Sequence, residues 1–436
     1  MGDTSRSQTV STKLQQIAKQ AEDYPEMVFT TLAHHIDVDF LREAYRHTRK
    51  DSSPGVDGIT AKQYGEHLEE NLQDLYDRLK NGRYEAPPVL RAWLEKDNGK
   101  KRPIGKPTFE DKIVQRAVVM LLEPIYEQVF HEFSHGFRKG RSQHRAIKEL
   151  RENLIDLRIN WIVIADITGL FDNLDHEILR NLIKKRMNDG TLLRLIGKWL
   201  NAGVMEGDSV HHPEQGTPQG GVISPLLSNV YLNEVDKMLE RAKEVTRNGR
   251  FSYIEYARWA DDLVVLVDGF RKWEWLLKAA YKRLEEEFEK LDVQMNQEKT
   301  RIVDLSRDET FSFLGFDYRR VKTRRGVWGV RVTPRMKART ALLRELKEVF
   351  RRHQSQPVDR IIYLINPILR GWVNYFRIGH SSKCFGYVKD WVEKKIRRHL
   401  MHARKRRGFG WNRWSRAWFY ETLGLFNDYG VRYYRA

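Results

Sequence analysis

Cysteine is almost missing: Cys384 is the single one in 436 residues. No disulfide framework and no cysteine-built zinc site can form within such a chain, and a reducing compartment fits it. Long apolar runs are missing too. AVVMLLEPIY is about the longest, well short of the roughly 18 residues that mark a membrane helix, so no span is expected. The N-terminal stretch MGDTSRSQTVSTKLQQIAKQAEDYPEM has no apolar core, which excludes a secretory signal. Asp3, Glu22 and Asp23 argue against a transit peptide, and Arg6 stands where myristoylation at Gly2 wants Ser or Thr. Internal repeats and low-complexity linkers are absent. The pairs His34–His35 and His211–His212 lack the helical spacing of metal ligands and read as structural or solvated.

Positive charge, by contrast, is abundant. Lys and Arg number 77 against 59 acids, a formal net charge of +18. That excess points to a polyanionic partner, nucleic acid first, although a solvated basic surface would look the same in composition. Hydrophobic residues make up 41%, enough for sizeable cores. The length suggests roughly two to four structural units at about 100–200 residues each.

Residues 1–25 are polar and expected to be loosely ordered. SPGVDGIT (53–60) reads as a loop entering a helix at about 61–80. LEKDNGKKRPIGKP (94–107) reads as a basic hairpin around a DNG turn, followed by a helix over 109–128. WIVIAD (161–166) is a short apolar run rich in β-branched residues, the pattern of a buried strand. YARWADDLVVLVD (256–268) is a strand–turn–strand, and 177–202 and 222–242 look helical. In 272–291, Leu277, Tyr281, Leu284, Phe288 and Leu291 step by four and three, an amphipathic helix. FSFLGFDYR (311–319) is another β segment, and from about 337 the chain reads as helical and strongly basic. The class is therefore α+β with a helical C-terminal module.

Two acidic positions stand at strand ends. Asp166 closes WIVIAD, and Asp261–Asp262 lie in the turn between apolar strands, 95 positions further on (261 − 166). Charges beside a core are costly unless paired or bound to metal. Carboxylates converging from different strands are what a two-metal displacement needs, and hard oxygen ligands suit Mg²⁺. Taken alone, the Asp-Asp pair reads better as an ordinary exposed turn.

The surrounding motifs change that balance. GVDGIT (55–60), RPIGKPTFEDKIVQRAV (102–118), ADITGLFDNLDH (165–176), QGTPQGGVISPLLSN (215–229), RWADDLVVLV (258–267), MNQEKTRIV (295–303) and FLGF (313–316) occur in that order. The series resembles the reverse transcriptases encoded by group II introns and their close relatives. NPILRGWVNYFRIG (366–379) is similar to the maturase, or X, domain that forms the thumb in that family. The likeness runs from about residue 26 to the C-terminus.

The resemblance implies a right-hand polymerase: fingers over 26–106 with 178–213 returning to them, palm with an antiparallel sheet over 107–177 and 214–325, and helical thumb/X domain over 330–436. It implies an RNA template, a DNA primer, dNTPs, and two Mg²⁺ ions, with Mn²⁺ as a substitute. Asp166, Asp261 and Asp262 match the metal-binding aspartates, and the Ile167 carbonyl is a further ligand. Phe171, five residues after Asp166, matches the aromatic that collides with a ribose 2′-hydroxyl; on its own it reads as a core ring. Lys96 and Arg102 match the fingers residues that grip the triphosphate, and Gln219 contacts the nucleotide from a loop whose glycines allow close approach. Lys299 matches the lysine near the leaving pyrophosphate, a general acid, and also reads as a helix-end charge. Phe313, Leu314 and Gly315 match the primer grip. The family's Tyr-Ala-Asp-Asp is Trp259-Ala260-Asp261-Asp262 here, and Thr168 and Leu170 replace a commoner Lys and Phe. Its optional Cys/His-rich endonuclease domain is not expected in this chain.

Residues 391–416 hold ten Lys/Arg and one acid, Glu393, with Trp391, Phe409, Trp411, Trp414 and Trp418 interleaved. Lys394, Arg397, Arg398, Arg404, Lys405, Arg406 and Arg407 are candidate RNA contacts, while the tryptophans read better as thumb core. The leading expectation is an intron-encoded reverse transcriptase with maturase activity in splicing and retrohoming, binding its own intron RNA. It would work in the bacterial cytoplasm, at the nucleoid when acting on DNA. Two alternatives remain open: an intron-free relative in DNA repair or phage defence, and a splicing cofactor that binds RNA without polymerising. Phe171 disfavours an RNA-dependent RNA polymerase.

Overall fold

The structure is a computed structural model that describes residues 2–95, 99, 101–156, 159–207, 209–212, 215–247, 253–323 and 326–432. Lys96, and Asp97 and Asn98 of the expected turn, lie outside the described residues. Helices and sheets are mixed along the chain. The strands are β1 (Val89–Glu95), β2 (Lys101–Lys106), β3 (Ile159–Asp166), β4 (Val204–Glu206), β5 (Ser209–His211) and β6 (Ile254–Trp259). They continue with β7 (Asp262–Asp268), β8 (Arg301–Asp304), β9 (Thr310–Phe313), β10 (Phe316–Lys322) and β11 (Trp328–Pro334). Two compact units form: residues 1–141, 165–263 and 275–301, and residues 142–164, 264–274 and 302–436.

In the first unit, β1 and β2 make the expected antiparallel hairpin, with Leu90 opposite Lys106 and Glu95 opposite Lys101. β4 joins β1 in parallel and β5 follows, giving the order β2-β1-β4-β5. The helix Phe109–Tyr126 is buried on nearly all sides, with Ile113, Val114, Ala117 and Leu121 fully enclosed. Thr108 caps it by accepting the Asp111 N–H. Residues 61–80 form two helices, Ala61–Glu66 and Leu68–Lys80, the first opened by a reciprocal Thr60–Gln63 capping box. Residues 177–202 likewise divide, at Asp189, whose carboxylate takes the N–H groups of Thr191 and Leu192 and those of Leu32 and Ala33.

The N-terminal stretch departs from expectation. Residues Gly2–Asp23 form a helix rather than a loose tail. Val10, Ile17 and Ala21 are buried, and the helix packs on Val38–His47 and Phe109–Tyr126. These apolar residues are spaced by seven and four, one helical face, and the polar residues between them hide that face in the composition.

The second unit contains the antiparallel sheet β9-β10-β11 and the helices Met336–Arg352, Val358–Phe376 and Ser382–Ala403, which pack on one another. β9 and β10 are joined by Leu314 and Gly315, with φ of 47° and 76°. Two positive φ values in a two-residue loop suit the twist of a hairpin. Leucine is a costly choice for such a turn, and the Tyr375 hydroxyl holds its carbonyl at 2.8 Å. Beyond Ala403 the chain is mostly irregular, not helical as expected: Gly408 and Gly410 adopt φ of 94° and 57° and break the run.

β6, β7, β3 and β8 lie in that order in a third sheet. Among the described residues no helix is long and apolar enough to cross a membrane.

Candidate active site

Asp166 is the last residue of β3, and its side chain is buried. Its carbonyl accepts the Asn296 N–H at 2.8 Å, and the Thr168 N–H reaches the Gln294 carbonyl at 2.9 Å. The segment after the strand is thus tied to residues 294–296, which places Lys299. The Lys299 Nζ lies 2.7 Å from Asp166 Oδ2, while the rest of that side chain is exposed.

Asp261 and Asp262 follow the tight turn out of β6. Ala260 takes a left-handed φ of 55° and is itself buried. A Cβ on Gly136 would stand 2.3 Å from the Ala260 nitrogen, so only glycine lets these two backbones meet. Beneath the turn lies Arg258, 1% exposed. Its guanidinium forms an ion pair with Asp236, which is fully buried, and donates to Asn229 Oδ1 at 3.0 Å and Ser134 Oγ at 2.6 Å. It also donates to the Ala260 carbonyl at 3.0 Å, holding the turn from below.

The charge of Asp166 acts on both Asp261 and Asp262, and that of Asp261 on Asp262. Burial, then the charge of Asp166, pushes the Asp261 carboxyl up, against the pull of Arg102 and Lys299. Asp262 is exposed to solvent, although protein crowds its carboxyl. Loss of water, then Asp261 and Asp166, pushes it up to about 6. The donor set is hard oxygen, and its mutual repulsion is what a divalent cation would relieve. Among the described residues, however, no group of three or more His, Cys, Asp or Glu side chains closes to metal-holding distance. Lys299 is the cation that touches Asp166.

The residues expected on the nucleotide side lie close to one another. The Arg102 Nε donates to Gln219 Oε1 at 2.8 Å, and the Gln219 amide donates to Asp172 Oδ2 at 3.0 Å. The Thr217 N–H meets the Phe171 carbonyl at 2.6 Å, and the Gly105 N–H meets the Gln219 carbonyl at 2.6 Å. Gly220, at φ 119°, runs against Gly105, whose carbonyl would lie 2.4 Å from any Cβ there. Phe171 is buried, and Ile167 is buried beside it in sequence.

Gln115 was not singled out by the motifs, since it sits on a helix that reads as plain core. Its Oε1 takes the N–H groups of Val222 at 2.7 Å and Ile223 at 3.3 Å, and its amide donates to buried Asp111 at 2.9 Å. It thereby anchors the end of the Gln219 loop. Gln115→Leu is expected to lower stability by about 1–3 kcal/mol, the cost of leaving buried N–H groups unpaired. It should also raise the dNTP KM more than it lowers kcat, which thermal unfolding and steady-state kinetics would check.

In the second unit, Phe313 is buried and Leu314–Gly315 form the turn already described. Of the basic candidates, Lys394, Arg398, Arg404, Lys405, Arg406 and Arg407 are exposed. Arg397 is a correction: it is 3% exposed and lies under the rings of Trp411 and Phe419 at 4.6 and 4.7 Å, so it holds the fold rather than presenting charge. Trp414 is buried and Trp411 is exposed, so the tryptophans divide between core and surface. The His34 and His35 rings lie with centroids 3.9 Å apart and planes tilted by 40°.

Comparison with known proteins bears on this arrangement. Residues 94–318 match the family of reverse transcriptases (RNA-dependent DNA polymerases), and residues 339–418 match the group II intron maturase-specific domain. Protein YkfC of Escherichia coli K12 is 34% identical over 336 residues, 69% of this chain and 86% of that one. The group II intron-encoded protein LtrA of Lactococcus lactis is 40% identical over 232 residues, 53% of this chain but only 38% of that protein. A putative COX1/OXI3 intron 1 protein of Saccharomyces cerevisiae is 27% identical over 325 residues, covering 64% and 38%. The chain thus spans well under half the length of the intron-encoded relatives it matches. On the polymerase match and the extent of the likeness to the Escherichia coli protein, the chain belongs to the reverse transcriptase family, as an RNA-directed DNA polymerase that also carries a group II intron maturase domain.

Proposed function

We propose that this chain extends a DNA primer on an RNA template at Asp166, Asp261 and Asp262, with two Mg²⁺ ions, and that its cognate RNA is a group II intron. One observation carries the reading: Asp166 stands beside a lysine and its charge acts on Asp261 and Asp262, while Arg102, Gln219 and the Phe171 segment are tied together by hydrogen bonds. The Asp side chains, with the Ile167 main-chain carbonyl, would hold the ions, and Mn²⁺ is expected to substitute. When bound, the metals supply a sharpened 3′-hydroxyl nucleophile and neutralise charge on the leaving pyrophosphate.

The remaining roles belong to the chain. Arg102 meets the triphosphate, and Gln219, oriented by Arg102 and Asp172, lies against the nucleotide. Lys96, outside the described residues, adds a second cation. The Phe171 ring excludes a 2′-hydroxyl. Lys299 holds a proton at Nζ for the leaving group. In this reading residues 26–106 are fingers, 107–177 and 214–325 palm, and 330–436 thumb, with 178–213 returning to the fingers. Phe313–Gly315 steady the primer end, and the exposed cations among 394–407 meet RNA phosphates. Work in the bacterial cytoplasm, on intron RNA and its DNA target, follows from the same reading.

The test is primer extension on an RNA template with dNTPs, with Mg²⁺ and with EDTA. Extension that needs the metal supports the reading. No extension, with RNA binding retained at moderate salt, would overturn it in favour of a maturase that binds without polymerising.

A further inference from the structure

Phe137 is out of place for an ordinary core residue. Its backbone adopts φ 59°, a left-handed conformation that bulky side chains avoid. Its side chain is 51% exposed, so burial does not compensate the strain. Strain that persists without burial has to be imposed by the surroundings, and those surroundings are visible. The His135 N–H binds the Arg258 carbonyl at 2.9 Å, and the Asn229 amide binds the Gly136 carbonyl at 2.7 Å. On the other side, the Arg138 guanidinium is clamped by Glu127 and by the carbonyls of His131 and Ser134. Held on both flanks, the chain turns the Phe137 ring onto Phe171. The centroids are 6.4 Å apart and the planes cross at 75°, an edge-to-face pair.

We infer that Phe137 is a specificity-determining residue, a second ring that fixes the sugar-discriminating position of Phe171. The inference rests on the reading of Phe171 as the group that meets the 2′-position. A single ring that can tilt away yields to a ribose. A ring backed at its edge by another, itself fixed by a strained backbone, does not. Phe137 thus acts through Phe171 as a positioning residue. Because Gly136 abuts Ala260, the same segment sets the distance from the sugar position to the carboxylates.

The experiment compares incorporation of dNTP and the matching rNTP on an RNA template by wild type, Phe171→Ala, Phe137→Ala and Phe137→Tyr, each with its melting temperature. For Phe137→Ala, the ratio of kcat/KM for dNTP over rNTP should fall about 3- to 10-fold, the worth of one edge-to-face aromatic pair. The fall should come through faster ribonucleotide use, and Phe137→Tyr should restore the ratio. If Phe171→Ala leaves the ratio unchanged, the reading of Phe171 fails. If Phe171→Ala lowers the ratio but Phe137→Ala does not, or slows both sugars alike with a lower melting temperature, Phe137 is structural and the inference is overturned.

Discussion

Asp261→Asn is expected to reduce RNA-templated extension on the order of 10³-fold or more while leaving the fold intact. On the proposed role of Asp261 as a ligand to a catalytic metal, the carboxylate supplies several kcal/mol of transition-state stabilisation, and about 4 kcal/mol corresponds to that factor. Stability is expected to move the other way. Burial and the charge of Asp166 raise the Asp261 pKa, so the folded state disfavours its ionised form. A group with a raised folded pKa binds protons on folding, so its contribution is most favourable at low pH and declines as pH rises. The neutral amide removes that cost, and the metal-free variant should melt at or above the wild-type temperature at pH 7. A clear fall in melting temperature would instead mark Asp261 as structural. The same electrostatics predict a pH-dependent metal requirement for the wild-type enzyme. Before metal binds, Asp262 is pushed up to about 6, so the Mg²⁺ concentration needed for half-maximal extension should rise as pH drops through that value, and a metal titration at several pH values checks it.

Arg258→Met should give the largest loss of stability, about 3–5 kcal/mol, read from denaturant unfolding. The cause is less the loss of the arginine than what it leaves behind. Asp236 would remain fully buried with its charge uncompensated, and Asn229, Ser134 and the Ala260 carbonyl would each lose a donor. The double variant Arg258→Met with Asp236→Leu removes the stranded charge and should recover much of the stability. It should not recover full activity, because the turn that carries Asp261 would still lack its bond from below. Full recovery of both would reduce Arg258 to a packing role.

How far the sequence reveals this depends on whether the signal is local. Asp166 at the end of an apolar strand, the acidic turn after β6 and the hairpin of β1 and β2 can each be read from a dozen neighbouring residues. Arg258 cannot: it stands three positions before Asp261, yet its partners are 22, 29 and 124 positions away. Gln115 is hidden differently, as one polar residue in a helix that otherwise reads as core. The N-terminal helix was concealed by composition, since three well-spaced apolar residues suffice to dock it. Arg397 shows the converse error, where membership of a basic run suggested exposure and two aromatic rings enclose it. The strain at Leu314 and Phe137 has no sequence signature at all, because neither residue type marks a left-handed turn.

The meeting of Gly136 with Ala260 has a practical consequence for chimeras. Two backbones touch there with no side chain between them, so no rotamer is available to absorb a misfit. Residues 134–137 and 258–262 therefore behave as one inherited block. In recombining this chain with a relative, crossovers that take the two segments from different parents should yield soluble but inactive hybrids, whereas crossovers elsewhere in the first unit should be better tolerated.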